Sequence, residues 1–115
     1  MDRGDGDVGV RMLRRMKYSR TDTGDETVLA IAGSLDAAAA SELHDVTNRI
    51  VEEQRRSVTL ELSHLEHLAE GVGVAAIVGL AKRVQGYGGE IKIVGLKGQP
   101  LAIFHLLRLE KVFSI

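Results

Sequence analysis

Apolar and polar residues alternate in several short stretches of the chain, and this alternation is the pattern of a half-buried strand. Residues 10–20 and 27–33 are strand-like, and the turn-rich residues 21–26 between them predict a hairpin. Residues 57–63 and 90–94 repeat the alternating pattern. We therefore predict four strands before residue 95, the first of them at a sheet edge.

Helical spacing begins after the second strand. Asp36 is a favourable N-cap, because its carboxylate accepts hydrogen bonds from the free N–H groups of a helix start. After it, apolar residues recur at steps of four, three and four positions, which predicts a helix that ends near residues 54–56. The residues of this apolar stripe are Ala39, Leu43, Val46 and Ile50.

Two further helices are predicted. Residues 72–85 are apolar nearly all round, which indicates a helix packed on a sheet with little exposed surface. Pro100 suits the first turn of the last helix, because proline needs no backbone donor there. We expect that helix to turn its apolar side chains inward, and residues 111–115 to form a short final strand. The inward-facing residues are Ile103, Phe104, Leu106 and Leu107.

The predicted element order is β-β-α-β-α-β-α-(β), which is typical of an α/β fold. Strand–helix–strand units need parallel strands joined by right-handed crossovers. We therefore predict a mixed β-sheet of four to five strands with the helices mainly on one face. Residues 11–115 form this single domain, and the acidic, glycine-rich residues 1–10 form a flexible tail.

Composition narrows the possible functions. The 115 residues include no cysteine, which excludes disulfides, thiolate metal ligands and cysteine nucleophiles. The net charge is −1 and the aromatic residues are two Tyr and two Phe, so we expect no nucleic-acid partner. No stretch has the pattern of a signal peptide or the length of a membrane span, so we expect a cytoplasmic chain without direct membrane insertion.

Few side chains suggest catalysis or metal binding. His64 and His67 are three residues apart in a predicted loop, whereas a zinc-binding histidine pair on a helix needs a spacing of four. The sequence has no Gly-x-Ser-x-Gly elbow and no phosphate-binding loop ending in Gly-Lys-Ser or Gly-Lys-Thr. We therefore expect that the chain is not an enzyme and that it binds no metal and no cofactor.

The segment Glu70-Gly71-Val72-Gly73 joins a predicted loop to the start of a buried helix. A helix start carries free N–H groups and a partial positive charge, so it can bind an anion or meet an acidic partner. Alternatively, Glu70 satisfies the helix end itself and the glycines allow close packing. The residues alone leave both interpretations open.

From residue 28 to residue 115 the chain resembles the STAS domain, a family named for sulfate transporters and anti-sigma factor antagonists. Residues 28–36, which end in Gly-Ser-Leu-Asp, resemble the family's strand ending in Gly-x-Leu-Asp. Residues 60–63 (Leu-Glu-Leu-Ser) resemble its Leu-Asp-Leu-Ser strand. Residues 71–74 and 88–94 resemble its Ser-Ser-Gly-Leu helix start and its Gly-Gly strand. The order and spacing of these segments carry the resemblance, which implies the same fold.

In the anti-sigma factor antagonists of this family, an Asp-Ser-Ser/Thr-Gly motif begins the second helix, and a partner kinase phosphorylates its first Ser. Counted back from Gly88 and Gly89, Gly71 takes the position of that acceptor serine. Counted forward from residues 60–63, Glu70 takes it. We prefer the first count, because a helix tolerates insertions less than a loop does. Neither residue has a hydroxyl, so we expect no phosphoserine switch at this position.

The resemblance implies a protein–protein interaction module of a bacterial partner-switching system that regulates transcription. Its partner is then an anti-sigma factor or a serine kinase-like protein. The alternative is an accessory subunit that docks on the ATPase of a membrane lipid transporter. A third interpretation is that the domain binds a nucleotide. The sequence also leaves open whether the chain forms a homodimer. The expected contact surface consists of Ser34, Asp36, His67, Ala69, Glu70, Gly71, Val72 and Gly73.

Overall fold

Five strands, three α-helices and one 3-10 helix occupy residues 16–113, the part of the chain that the computed structural model describes. The predicted tail over residues 1–10 and the predicted domain start at residue 11 lie outside these residues. In chain order the elements are β1 (Met16–Thr23), β2 (Glu26–Leu35), α1 (Ala37–Glu52), β3 (Ser57–Glu61), β4 (Leu65–Leu68), α2 (Val72–Gly86), β5 (Glu90–Val94), α3 (Gly98–Leu106) and the 3-10 helix (Leu109–Lys111).

The sheet is mixed and has the strand order β1-β2-β3-β5. β1 runs antiparallel to β2 as a hairpin, and β2, β3 and β5 run parallel to one another. β3 pairs with residues 26–30 of β2, whereas β4 pairs with residues 33–35 beyond the end of β3. This arrangement confirms the predicted α/β fold, its mixed sheet and the order of its elements up to the third helix.

Alternation along the strands decides which face of the sheet is buried. In β5, Ile91 and Ile93 are buried, whereas Glu90, Lys92 and Val94 are exposed. α1 and α2 pack against each other, and they contact β2 and β5 respectively. Removing these aliphatic side chains from water is the main favourable contribution to the stability of the sheet–helix core.

The first helix begins and packs as its sequence predicts. The carboxylate of Asp36 accepts a hydrogen bond from the backbone N–H of Ala39 at 3.0 Å. This bond satisfies one of the N–H groups that a helix start leaves free. All members of the predicted apolar stripe are buried, namely Ala39, Leu43, Val46 and Ile50.

The strand β4 was not predicted, because residues 64–71 have the composition of a loop. Only Leu65 and Leu68 of this four-residue strand are buried, so it lacks the alternating pattern of a half-buried strand. Its pairing with β2 includes a register irregularity between Gly33 and Ser34. Such an irregularity depends on the neighbouring strand, and it leaves no periodic signal in the sequence.

Two predictions for the end of the chain are wrong. Leu106 and Leu107 do not face inward, because their side chains are 69% and 43% exposed. Residues 111–113 do not form a strand: they follow from a 3-10 helix into a turn, and residues 114–115 lie outside the described part. Leu106 is the last residue of α3 and Leu107 its C-cap, and Arg108, with a φ of 57°, turns the chain into the 3-10 helix in place of a strand.

A polar network ties the β1–β2 hairpin to the connection between α1 and β3. The hydroxyl of the fully buried Thr27 donates to Asp22 at 3.0 Å and accepts from Nε of Arg55 at 2.7 Å. Arg55 also donates to the carbonyl of Gly24 at 2.6 Å. Hydrogen bonds from Arg20 lower the pKa of Asp22, so this carboxylate stays charged.

We expect Arg55→Met to lower the free energy of unfolding by about 2 kcal/mol, because it leaves the hydroxyl of the buried Thr27 without its charged donor. Arg56→Met is the matched control, since the exposed Arg56 makes a single long hydrogen bond of 3.4 Å to the carbonyl of Tyr87. Urea unfolding followed by circular dichroism measures both variants. Equal midpoints for the two variants would contradict a stabilising role for the network.

Candidate partner-binding surface at the start of helix α2

The carboxyl ends of β2 and β4 lie side by side and bring two separate chain segments together. Ser34 is the register partner of His67, and Leu35 is that of Leu68. The backbone N–H of Ala69 then donates to the carbonyl of Leu35 at 3.1 Å. Parallel strands end at the same sheet edge, so the residues that follow each strand meet there. Asp36 begins α1 and residues 69–71 lead into α2 at this edge.

The predicted contact residues therefore form one continuous surface, but they differ in accessibility. His67, Glu70 and Gly71 are exposed, and the apolar side chain of Val72 is 47% exposed. Ser34, Asp36 and Ala69 are half-buried. We name the surface made by Ser34, Asp36, His67 and residues 69–72 the α2-start surface.

Gly73 lies beneath the α2-start surface and is buried. A Cβ atom added to it would lie 2.4 Å from the carbonyl oxygen of Leu35 and 3.0 Å from Cδ1 of Leu68. Only a residue without a side chain allows α2 to approach the ends of β2 and β4 this closely. The structure therefore favours the packing interpretation for Gly73. This residue lets α2 pack closely beneath the surface, and it is not itself accessible to a partner.

The start of α2 has no side-chain cap. Gly71 is the N-cap residue, and among residues 16–113 no side chain, including that of Glu70, accepts a hydrogen bond from the first turn. The sequence-based alternative that Glu70 satisfies the helix end is therefore wrong. The backbone N–H of Val74 donates to the carbonyl of Ala69 at 3.1 Å, and the earlier N–H groups keep their partial positive charge beside the Glu70 carboxylate.

Gln99 at the start of α3 fixes β4 from its other side. Its side-chain amide accepts from the backbone N–H of Leu68 at 2.8 Å and donates to the carbonyl of Leu68 at 3.0 Å. The amide thus takes the place of a neighbouring strand. Sequence reasoning missed Gln99, because the two residues are far apart in the chain and no local pattern connects them.

The histidines near this edge do not form a metal centre with other side chains. Among residues 16–113, no cluster of three or more His, Cys, Asp or Glu side chains is arranged to hold a metal ion. His64 Nδ1 lies 3.2 Å from the hydroxyl of Ser63, which donates to Glu61 at 2.9 Å. His67 lies on the exposed side of β4. Within the same residues, no helix has the length and hydropathy of a transmembrane segment.

Solved structures with the same fold include anti-sigma factor antagonists. An anti-sigma factor antagonist from Mycobacterium paratuberculosis has a TM-score of 0.77 and 20% sequence identity, over 86% of this chain and 83% of that one. The Bacillus cell fate determinant SpoIIAA in its phosphorylated form has a TM-score of 0.70 and 13% identity, over 85% and 89%. At these identities the likeness shows the fold alone.

Sequence comparison assigns the family. A search of curated proteins found no match to the chain. The family model described as "Mlab, STAS domain" matches residues 19–114, which is most of the sequence. The match begins within β1 and extends past the last described element. The chain therefore belongs to the STAS domain family.

Proposed function

We propose that this STAS domain is a non-catalytic protein-binding module of a bacterial partner-switching system, similar to the anti-sigma factor antagonists. Its partner is an anti-sigma factor or a serine kinase-like protein in the cytoplasm, and the α2-start surface is the contact. The observation that carries the proposal is the uncapped start of α2, with the apolar Val72 exposed beside Glu70. The fold shared with an anti-sigma factor antagonist from Mycobacterium paratuberculosis supports it.

The chemistry of the α2-start surface suits a protein partner. Val72 offers an apolar centre, and a protein interface gains most of its affinity from such desolvated central side chains. Gly71 has no side chain, so a partner backbone can approach the free N–H groups of α2 directly. The carboxylate of Glu70 lies at the rim, where charge sets the choice of partner and the association rate.

Residues 69–73 contain no hydroxyl, and this shapes the proposed mechanism. A phosphate on this surface would add about −1.5 to −2 charge and repel a partner that accepts Glu70. Without an acceptor in this segment, kinase activity cannot release the partner by phosphorylating residues 69–73. We therefore propose that binding here is constitutive, and that any regulation acts through the partner or through another part of the chain.

The same missing hydroxyl favours the second candidate function. An accessory subunit that stays docked on the ATPase of a membrane lipid transporter needs a stable contact and no release step. In this case the α2-start surface binds an ATPase subunit in place of an anti-sigma factor. Titration of the purified chain into each of the two partner proteins from the same bacterium distinguishes the functions, because tight binding is expected for only one of them.

Glu70→Lys is expected to weaken partner binding by about tenfold, because it reverses the sign of a charge at the rim of the contact surface. Glu52→Lys provides the control: it makes the same charge change at the last residue of α1, far from the α2-start surface. Isothermal titration gives the two dissociation constants, and thermal unfolding shows that both variants are folded. Equal affinities for the two variants would remove Glu70 from the contact surface.

A further inference from the structure

Two consecutive leucines project from the corner at which α3 ends. Leu106 is 69% exposed and Leu107 is 43% exposed. Leu107 is the C-cap of α3, and Arg108 follows it in the left-handed conformation with φ of 57°. A leucine side chain gains about 1.5–3 kcal/mol when it is fully removed from water, so an adjacent exposed pair favours contact with another apolar phase. We name it the Leu106–Leu107 corner.

Basic side chains surround this corner. Arg108 and Lys111 are exposed, and neither forms an ion pair with another residue of the 16–113 range. Lys82 belongs to the same surface, because it lies one turn before Gln85, whose amide donates to the carbonyl of Val112 at 3.1 Å. The nearby carboxylate of Glu110 is paired with His105.

Charge is also divided along the sequence of residues 16–113. Residues 72–113 contain six Lys or Arg and two Asp or Glu, a net charge of +4. Residues 16–71 contain five Lys or Arg and eleven Asp or Glu, a net charge of −6. A basic part of a protein surface favours contact with an anionic surface.

We propose that the Leu106–Leu107 corner docks on the surface of an anionic lipid bilayer. This proposal departs from the sequence-based expectation of no direct membrane insertion: the leucines enter the lipid surface, and Arg108, Lys111 and Lys82 contact the anionic headgroups. A second copy of the chain fits less well, because a two-fold contact at this corner would bring like charges together. A bilayer can take up two projecting leucine side chains because its lipids rearrange around them. A protein partner would have to supply a complementary groove.

The corner and the α2-start surface are formed by different residues, at the end of α3 and at the start of α2 respectively. Gln99 connects the start of α3 to Leu68 beside the α2-start surface, whereas Gln85 at the other end of α2 contacts Val112. The 15 residues of α2 separate the two ends by about 22 Å. The docking of the corner on a bilayer does not depend on the identity of the proposed protein partner.

Co-sedimentation with vesicles tests the inference. The chain is expected to sediment with vesicles of phosphatidylcholine and phosphatidylglycerol in a three-to-one ratio, and not with phosphatidylcholine alone. High salt is expected to weaken the binding, because it screens exposed charges. Leu106→Ser combined with Leu107→Ser is expected to lower the partition coefficient at least tenfold.

The control variant combines Tyr18→Ser with Val94→Ser, which removes two side chains of 44% and 41% exposure away from the corner. It is expected to sediment like the unchanged chain, and circular dichroism confirms that each variant is folded. A loss of sedimentation as large as that of the leucine variant would overturn the assignment to the corner. A chain that stays in the supernatant with both kinds of vesicle would overturn lipid docking and leave an acidic protein surface as the occupant.

Discussion

Gly73→Ala is expected to lower the free energy of unfolding by about 3 kcal/mol, which corresponds to a fall in the melting temperature of roughly 10–15 °C. The new methyl group would lie 2.4 Å from the carbonyl oxygen of Leu35, a backbone atom that cannot turn away. That carbonyl accepts the hydrogen bond from Ala69 that joins β2 to the segment after β4. Relief of the clash therefore requires α2 to move away from the sheet edge.

Gly79→Ala is the matched control on the same helix. A Cβ atom at Gly79 meets no heavy atom within 4 Å, so alanine fits there without strain. This substitution is expected to raise the stability by about 0.5–1 kcal/mol, because alanine favours the helix and restricts the unfolded chain. Differential scanning calorimetry of both variants measures the contrast. A Gly73→Ala protein as stable as the unchanged chain would show that α2 does not pack at the described distance.

Local periodicity predicted most of the fold, because the pattern of buried positions repeats within each element. Ile91 and Ile93 of β5 show the period of two, and the buried stripe of α1 shows the helical period. The cap at Asp36 was predictable too, since it depends on a hydrogen bond to Ala39, only three residues away. These signals are all short-range, so no knowledge of the tertiary structure was needed to interpret them.

The errors concern features that depend on distant residues. β4 is held by β2 on one side and by the side chain of Gln99 on the other, and neither contact is visible in its own four residues. Leu106 and Leu107 lie where α3 ends, and the chain turns at Arg108, a residue type that rarely adopts positive φ. Hydrophobicity alone assigned these leucines to the core.

The α2-start surface was predicted only in part for the same reason. The rule that parallel strands end at one edge placed the residues after β2 near those before α2, and the structure shows Ser34 paired with His67. The burial of Gly73 and the missing side-chain cap at Gly71 could not be predicted, because both depend on the tertiary structure around the start of α2. A glycine in a sequence does not reveal whether it provides space for a partner or for the protein's own backbone.

Gly71→Ser is expected to create the phosphorylation site that the natural sequence lacks. The position has space for it, because Gly71 is exposed, its φ is −82°, and a Cβ atom there meets no heavy atom within 4 Å. Serine is also a favoured N-cap residue, so the variant is expected to remain folded. In the unchanged chain, incubation with a kinase partner and ATP is expected to leave the mass unaltered.

Phosphorylation of the Gly71→Ser variant is expected to weaken binding of the proposed partner by about 100-fold, or about 2.7 kcal/mol. The phosphate adds about −1.5 to −2 charge beside Glu70, on the surface that the partner must desolvate. Intact mass spectrometry detects the added phosphate, and titration of the modified protein gives the affinity. Gly71→Ala fills the same space without a hydroxyl, so it must stay unmodified, and its affinity measures the effect of the added side chain alone. A phosphate found on residues 63–75 of the unchanged chain would contradict constitutive binding, and a phosphorylated variant with full affinity would place the partner elsewhere.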